Sequence, residues 1–186
     1  MACNITAGRI EPCKDSLAGL RNVYFINYQA ALDIIETGTE NEINYVGYVP
    51  SLYKFELKSN ENVFDQEIVT SRENGTTFFR QTLTIKLKKQ DIATHNAVKI
   101  LAYAKPHILV ENNEGQFFLV GTHRGCDLTA GSINNGGALG DFSGYSLTFQ
   151  AEELLPSQFV LNGTNSFRVG QAVDIPLSSA STIVTS

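Results

Sequence analysis

Polar and apolar positions alternate through residues 61–89 on either side of Asn74-Gly75, in a pattern that reads as one long β-hairpin. Asn-Gly favours a two-residue type I′ turn. That turn sets Glu73 opposite Thr76 and, counting outward, Glu61 opposite Lys88, with Asp65 and Glu67 diagonal to Lys86 and Arg80. One face then holds Phe64, Ile68, Phe79, Leu83, Ile85 and Leu87. The other holds Glu61, Asp65, Glu67, Arg80, Thr82, Thr84, Lys86 and Lys88. The apolar face belongs in a core, and the charge-matched face turns to water, a partner or a lumen. A polar face of this length and order points to assembly or interaction before catalysis.

The rest of the pattern is also mainly β. Val23–Tyr28 is aromatic and β-branched and predicts a strand, while residues 30–36 fit either its continuation or one helical turn. Glu42–Val49 and Tyr53–Lys58 alternate on either side of a bend at Pro50-Ser51. Asp91–Ala104 predicts the single helix. Asp91 caps it, Ile92, Ala93, Ala97, Ile100, Leu101 and Ala104 fall near one face, and Pro106 stops it. A lone amphipathic helix among strands packs across a sheet.

His107–Glu111 and Gln116–Gly121 predict a second hairpin around residues 112–115. Thr122–Gly144 is rich in Gly, Asn and Ser and reads as a long loop, functional or mobile. In Tyr145–Ala151, Tyr145, Leu147 and Phe149 point inward and Ser146, Thr148 and Gln150 outward. Gln158–Leu161 and Ser166–Val169 are expected terminal strands, and Ser178–Ser186 has no core face. The expected organisation is an arm over 1–20, one β domain over 21–170 and a flexible tail over 171–186, of α+β class, as an antiparallel β-sandwich with a long hairpin and one packed helix.

Composition narrows the function. The chain has 186 residues, 42% of them hydrophobic, which suits one domain with a sizeable core. A formal charge of −5 and pI near 5.2 argue against stable binding to nucleic acid by phosphate neutralisation. Neither a basic leader with an apolar run nor a stretch of membrane-helix length is present, so a soluble, cytoplasmically made product is expected. Cys3, Cys13 and Cys126 are odd in number and lack CxxC spacing, which speaks against a disulfide framework or zinc site, and Cys3 meets Cys13 only if the chain folds back. Without a secretory signal, the Asn-x-Thr triplets at Asn4, Asn74 and Asn162 are not read as glycan acceptors.

Candidate chemistry is thin. His95, His107 and His123 have no metal-ligand spacing, so no metal or other cofactor is expected. His123 beside Arg124 is an anion candidate weaker than its surface reading. No GxSxG elbow exists, and Cys126 with His123 lacks a third orienting group. Glu152 and Glu153 alternate across a strand and cannot share a face, and Asp65 with Glu67 is explained by cross-strand charge. Gly131–Gly144 is not followed by a Lys-Ser/Thr pair or a helix, so it is no phosphate cradle, and Asp141-Phe142-Ser143-Gly144 reads as a tight turn. The alternative to an assembly protein is a carbohydrate-binding β-sandwich module whose platform, in a chain without Trp, would be Tyr45, Tyr48 and Tyr53.

The order of elements, a long hairpin, one helix, a second hairpin, a glycine-rich loop and the closing strand Gly144–Phe149, resembles the tail-tube fold of tailed bacteriophages. Ile108–Gly115 through Phe118–Gly121, then Asp141–Glu153 and Pro156, is similar to the carboxy-terminal part of tail proteins from phages of Bacteroides-type hosts, including the crAss-like group. The likeness covers about Glu61–Leu161. It implies a non-enzymatic virion protein of the tail or neck, synthesised in the bacterial cytoplasm, that forms homo-oligomeric rings, commonly hexameric, with the hairpins joined edge to edge into an inner β-barrel. Neighbouring tail, neck or portal-associated proteins are then its partners, DNA passes without stable binding, and no membrane is involved. Glu61, Asp65, Glu67, Arg80, Thr82, Thr84, Lys86 and Lys88 would line the lumen, where the basic residues depart from the usual acidic lining. His123, Arg124, Asn134 and Asn135 would lie in a mobile loop ordered by contacts between subunits.

Overall fold

The computed structural model describes residues 8–11, 13–14, 16–30, 33–36, 42–47, 49, 51–160, 167–169, 173–175 and 182–185. Its elements are β1 (Leu20–Ile26), β2 (Asp33–Glu36), β3 (Glu42–Gly47), β4 (Ser51–Glu56), β5 (Val63–Ser71), β6 (Thr76–Lys88), α1 (Ile92–Leu101), β7 (His107–Asn112), β8 (Phe117–Val120), β9 (Asp127–Asn134), β10 (Gly144–Glu153), β11 (Gln158–Val160), β12 (Phe167–Val169), β13 (Val173–Ile175) and β14 (Thr182–Val184). An eight-stranded mixed sheet runs β14-β4-β1-β7-β8-β11-β3-β2, a four-stranded antiparallel sheet runs β5-β6-β10-β9, and β12 and β13 form a separate pair. The protein is mainly β, a sandwich-like α+β fold with one short helix.

β1 and β7 bury almost every residue because each is covered on both faces. Val23, Phe25, Ile108 and Val110 face the four-stranded sheet, whose β6 and β10 answer with the apolar pairs Leu83↔Phe149, Ile85↔Leu147 and Leu87↔Tyr145. On the other face Tyr24, Ile26 and Leu109 join Ile43, Val46, Leu52, Phe117 and Leu119 in a second core. β3 and β4 stand far apart in the strand order yet share that core, so the larger sheet curls around it.

The long hairpin forms with a different turn. Arg72–Gly75 is a four-residue loop closed by Ser71↔Thr76, in which only Gly75 takes a left-handed φ, +62°, and the Asn74 amide donates to Ser71 Oγ at 3.3 Å. A type I′ turn needs positive φ at Asn74 as well. The register is therefore two residues from the expected one: Glu67 lies directly opposite Arg80, Asp65 opposite Thr82, and Glu61 reaches Lys86 rather than Lys88. A shift of two leaves every side chain on its original face, because strand side chains repeat every two residues.

Three other expectations are corrected. Helix α1 is capped by Asp91, which accepts from the Thr94 amide at 2.7 Å, but it ends at Leu101 and packs through Val98 and Leu101, leaving Ile92 and Ile100 exposed. The buried stripe is rotated from the one centred on Ile92 and Ile100. Part of the supposed Thr122–Gly144 loop is strand β9, paired with β10 along the sheet edge. The segment taken for a tail carries β13 and β14; β14, β-branched through Thr182-Ile183-Val184, pairs in parallel with β4, and the β12–β13 pair straddles the boundary expected at residue 170.

Candidate assembly surface

The outer face of the four-stranded sheet carries seven of the residues expected there, and Glu61, in the turn before β5, joins them through Lys86. The register sets Glu67, Arg80 and Glu152 in a row across β5, β6 and β10. Arg80 donates to Glu67 Oε2 from a terminal nitrogen at 3.0 Å and to Glu152 Oε1 from Nε at 3.3 Å. The next rows are Asp65, Thr82 and Gln150, then Val63, Thr84 and Thr148, with the two threonine hydroxyls 3.3 Å apart. Lys86 Nζ meets Glu61 Oε2 at 2.7 Å and stands over the Phe142 ring, while Lys88 Nζ donates to the Lys58 carbonyl at 3.0 Å. Arg80 and Lys86 thus reach this face already paired with carboxylates. The sequence reading missed Glu152 as Arg80's second partner, although the alternation from Tyr145 onward already places it outward.

The sheet has two open edges. Neither β5 nor β9 has a second strand partner among the described residues. Each shows a large, partly exposed apolar residue on its core-side face: Ile68 on β5 is 64% exposed and Ile133 on β9 is 49% exposed. Proline and lysine, the common guards against edge pairing, are absent from both strands.

His123, Arg124, Asn134 and Asn135 do not share one free loop. The backbone amides of His123 and Arg124 donate to the buried Glu153 carboxylate at 2.9 and 2.8 Å, in a turn fixed by Gly125 N to Gly121 O and Cys126 N to Pro106 O. Glu153 is itself the anion at this turn. Asn134 closes β9, its carbonyl accepting from Gln90 Nε2, and Asn135 Oδ1 accepts from Ser143 Oγ. The loop between β9 and β10 is braced by Asp141, whose carboxylate accepts from the Ala138 and Gly137 amides at 2.7 and 2.8 Å; these bonds hold its pKa below the usual value. Gly144 restarts the sheet where the backbone passes so close to Leu87 that a Cβ would strike its carbonyl.

The other candidate groups are built into the core. His107 is fully buried, its Nδ1 2.6 Å from the Gly121 carbonyl, its Nε2 accepting from the Gln29 amide, and its ring stacked on Tyr28. Burial, then the Glu153 charge, pushes the Cys126 thiol well up, which disfavours the thiolate a nucleophile needs. Glu111, wholly buried in β7, accepts from Asn22 Nδ2 at 2.6 Å and Tyr24 Oη at 3.1 Å, and burial followed by this carboxylate raises the tyrosine pKa. His95 lies on exposed α1, 6.2 Å in ring separation from Tyr145. Of the tyrosines considered as a sugar platform, Tyr53 lines an apolar pocket with Tyr28, Tyr45 is a β3 position, and Tyr48 lies outside the described residues. Cys3, Asn4 and Asn162 also lie outside them, Cys13 is exposed, and Asn74 sits in the hairpin loop. Among the described residues no His, Cys, Asp and Glu cluster could hold a metal, and no helix is long and apolar enough to cross a membrane. Comparison with protein-family models, curated proteins and solved structures finds no match.

Proposed function

We propose that this chain is a structural subunit of a phage tail or neck, joining copies of itself edge to edge into a ring or tube that conducts DNA. The observation that carries the reading is the pair of open edges on β5 and β9, each with an exposed isoleucine. The four strands alternate in direction, so β9 of one copy meets β5 of the next antiparallel, as every pair within the sheet already does. Repeated around a ring, this contact leaves no free edge and covers Ile68 and Ile133. The polar face then lines the lumen. Its paired cations and the acidic balance of the chain let DNA pass without gripping it.

Ile68→Lys and Ile133→Lys test the reading, since each places a charge on one edge and leaves the other intact. Electron microscopy and sedimentation should show closed rings for the natural chain and no rings for either variant. An equal mixture of the two variants should stop at dimers joined through the surviving edges. A monomeric natural chain at high concentration, or rings indifferent to both lysines, would sink the proposal.

A further inference from the structure

Asn-Gly occurs at residues 74–75, 135–136 and 162–163, and the last pair lies outside the described residues. The fold treats the other two oppositely. At the hairpin tip Asn74 and Gly75 are both exposed, and a Cβ placed on Gly75 would meet nothing within 4 Å. The only bond recorded for the pair is the long one from the Asn74 backbone amide to Ser71 Oγ, 3.3 Å, so the Asn74 side chain and the Gly75 amide have no partner among the described residues. Both reacting groups of a cyclisation are free.

Asn135 and Gly136 sit in a loop that is held. Asn135 Oδ1 accepts from Ser143 Oγ at 3.1 Å, and the residue before it is tied to Gln90 through its carbonyl. A Cβ on Gly136 would come within 2.6 Å of Asp141 Cβ, and the Asp141 carboxylate closes the loop on the Gly137 and Ala138 amides. The loop must open before this pair can rearrange.

We propose that Asn74 is a site of spontaneous deamidation, and that the fold selects it over Asn135. Solvent base takes the Gly75 amide proton, and the nitrogen attacks Asn74 Cγ, where no side chain on Gly75 obstructs it. The N–Cγ bond forms, the Cγ–Nδ2 bond breaks, and Nδ2 leaves as ammonia with a proton from water. Water then opens the resulting succinimide at either carbonyl, giving aspartate or isoaspartate at position 74. The balance is one water consumed and one ammonia released, without oxidant or reductant.

Each converted copy gains one negative charge at an exposed tip that already carries Glu73. The isoaspartate product also routes the main chain through the side-chain carbons and lengthens the loop, while the register of β5 and β6 from Ser71↔Thr76 onward lies outside the change. The hairpin tip thus records the age of the subunit as an acidic species, whatever its state of assembly.

The test incubates the full-length chain near neutral pH, folded and in denaturant, and follows tryptic peptides by mass spectrometry. In the folded chain the peptide of residues 73–80 should gain the mass difference between an amide and an acid and split into aspartate and isoaspartate forms. Fragmentation should show Asn135 reacting at least about tenfold more slowly, because its loop must first give up the two bonds to Asp141. In denaturant the two rates should converge. Asn74→Gln should remove the acidic species of the hairpin peptide, and Asp141→Ala should speed reaction at Asn135 alone. An Asn74 left intact in the folded chain while the denatured chain is converted, or an Asn135 that keeps pace with it in the folded chain, would overturn the proposal.

Discussion

β6 buries every second residue, Gln81, Leu83, Ile85 and Leu87, whereas β7 buries five in succession, His107 to Glu111. The two strands show what a wet face allows and a dry one forbids. On the outer face of β6, Arg80 and Lys86 find carboxylates, and water can replace any partner that is lost. In β7, with protein on both sides, His107 and Glu111 depend on the protein for their partners, and receive them from Gln29, Gly121, Asn22 and Tyr24. Apolar residues should therefore matter equally in both strands, while the polar residues of β7 should matter far more than those on the outer face of β6.

The largest effects should come from the two cores. Leu83→Ala, between the sheets, and Leu109→Ala, inside the curl, should each destabilise the subunit by about 2–5 kcal/mol through the cavity left behind. Ile68→Ala, at the overhanging edge, should change the isolated subunit by no more than about 0.5 kcal/mol. Denaturant midpoints at constant slope measure all three. A tolerated Leu83→Ala would break the comparison at its root by removing β6 from the core.

Glu111 gives the sharper contrast. Glu111→Ala strands the Asn22 amide and the Tyr24 hydroxyl, both buried, and should cost about 1–3 kcal/mol. A cost near zero would mean that water reaches β7, and the claim that this strand is dry on both faces would fail.

What the sequence made legible follows the same division. Strict alternation in β6 and β10 survived an incorrect turn because the register error was an even number of residues. The opposite edge was hidden. β9 pairs with β10 through a register shift at Thr129 and places Gly131, which has no side chain, against Leu147, so bulge and glycine together erased the period of two. Buried polar residues in either sheet were equally illegible. Nothing local marks Glu111 or Glu153 as buried, because their partners lie 89 and 30 residues away in the chain. Helix α1 was found from its cap, but a short helix with Ile at both exposed and expected-core positions leaves its packed stripe undecided.

Exposed carboxylates with fixed partners form an intermediate class. Bonds from the Thr94 amide and hydroxyl hold Asp91 below its ordinary pKa of 3.8, and the Ala138 and Gly137 amides do the same for Asp141. A pKa lowered in the folded state contributes stability that is present above 3.8 and is lost as pH falls through the folded value. Asp91→Asn with Asp141→Asn should flatten the fall in melting temperature below that pH and change its slope little near neutrality. An acid limb identical to that of the natural chain would assign the loss to other carboxylates.

The smallest effect is expected on the outer face. Glu67 is mostly exposed and Arg80 keeps Glu152 when Glu67 is removed, so Glu67→Ala should cost at most about 1 kcal/mol. That separates it from Glu111 although both are strand glutamates hydrogen-bonded across a sheet. Glu67→Lys goes further, because it replaces a neutralising carboxylate with a second cation opposite Arg80. Thermal stability should stay nearly intact while the proposed ring, with this face in its lumen, retains DNA more strongly, and salt should reverse that retention. Unfolding as severe as that of Glu111→Ala would show that this face is packed rather than wet. Stable rings that retain no more DNA than before would keep the wet face and remove it from the lumen.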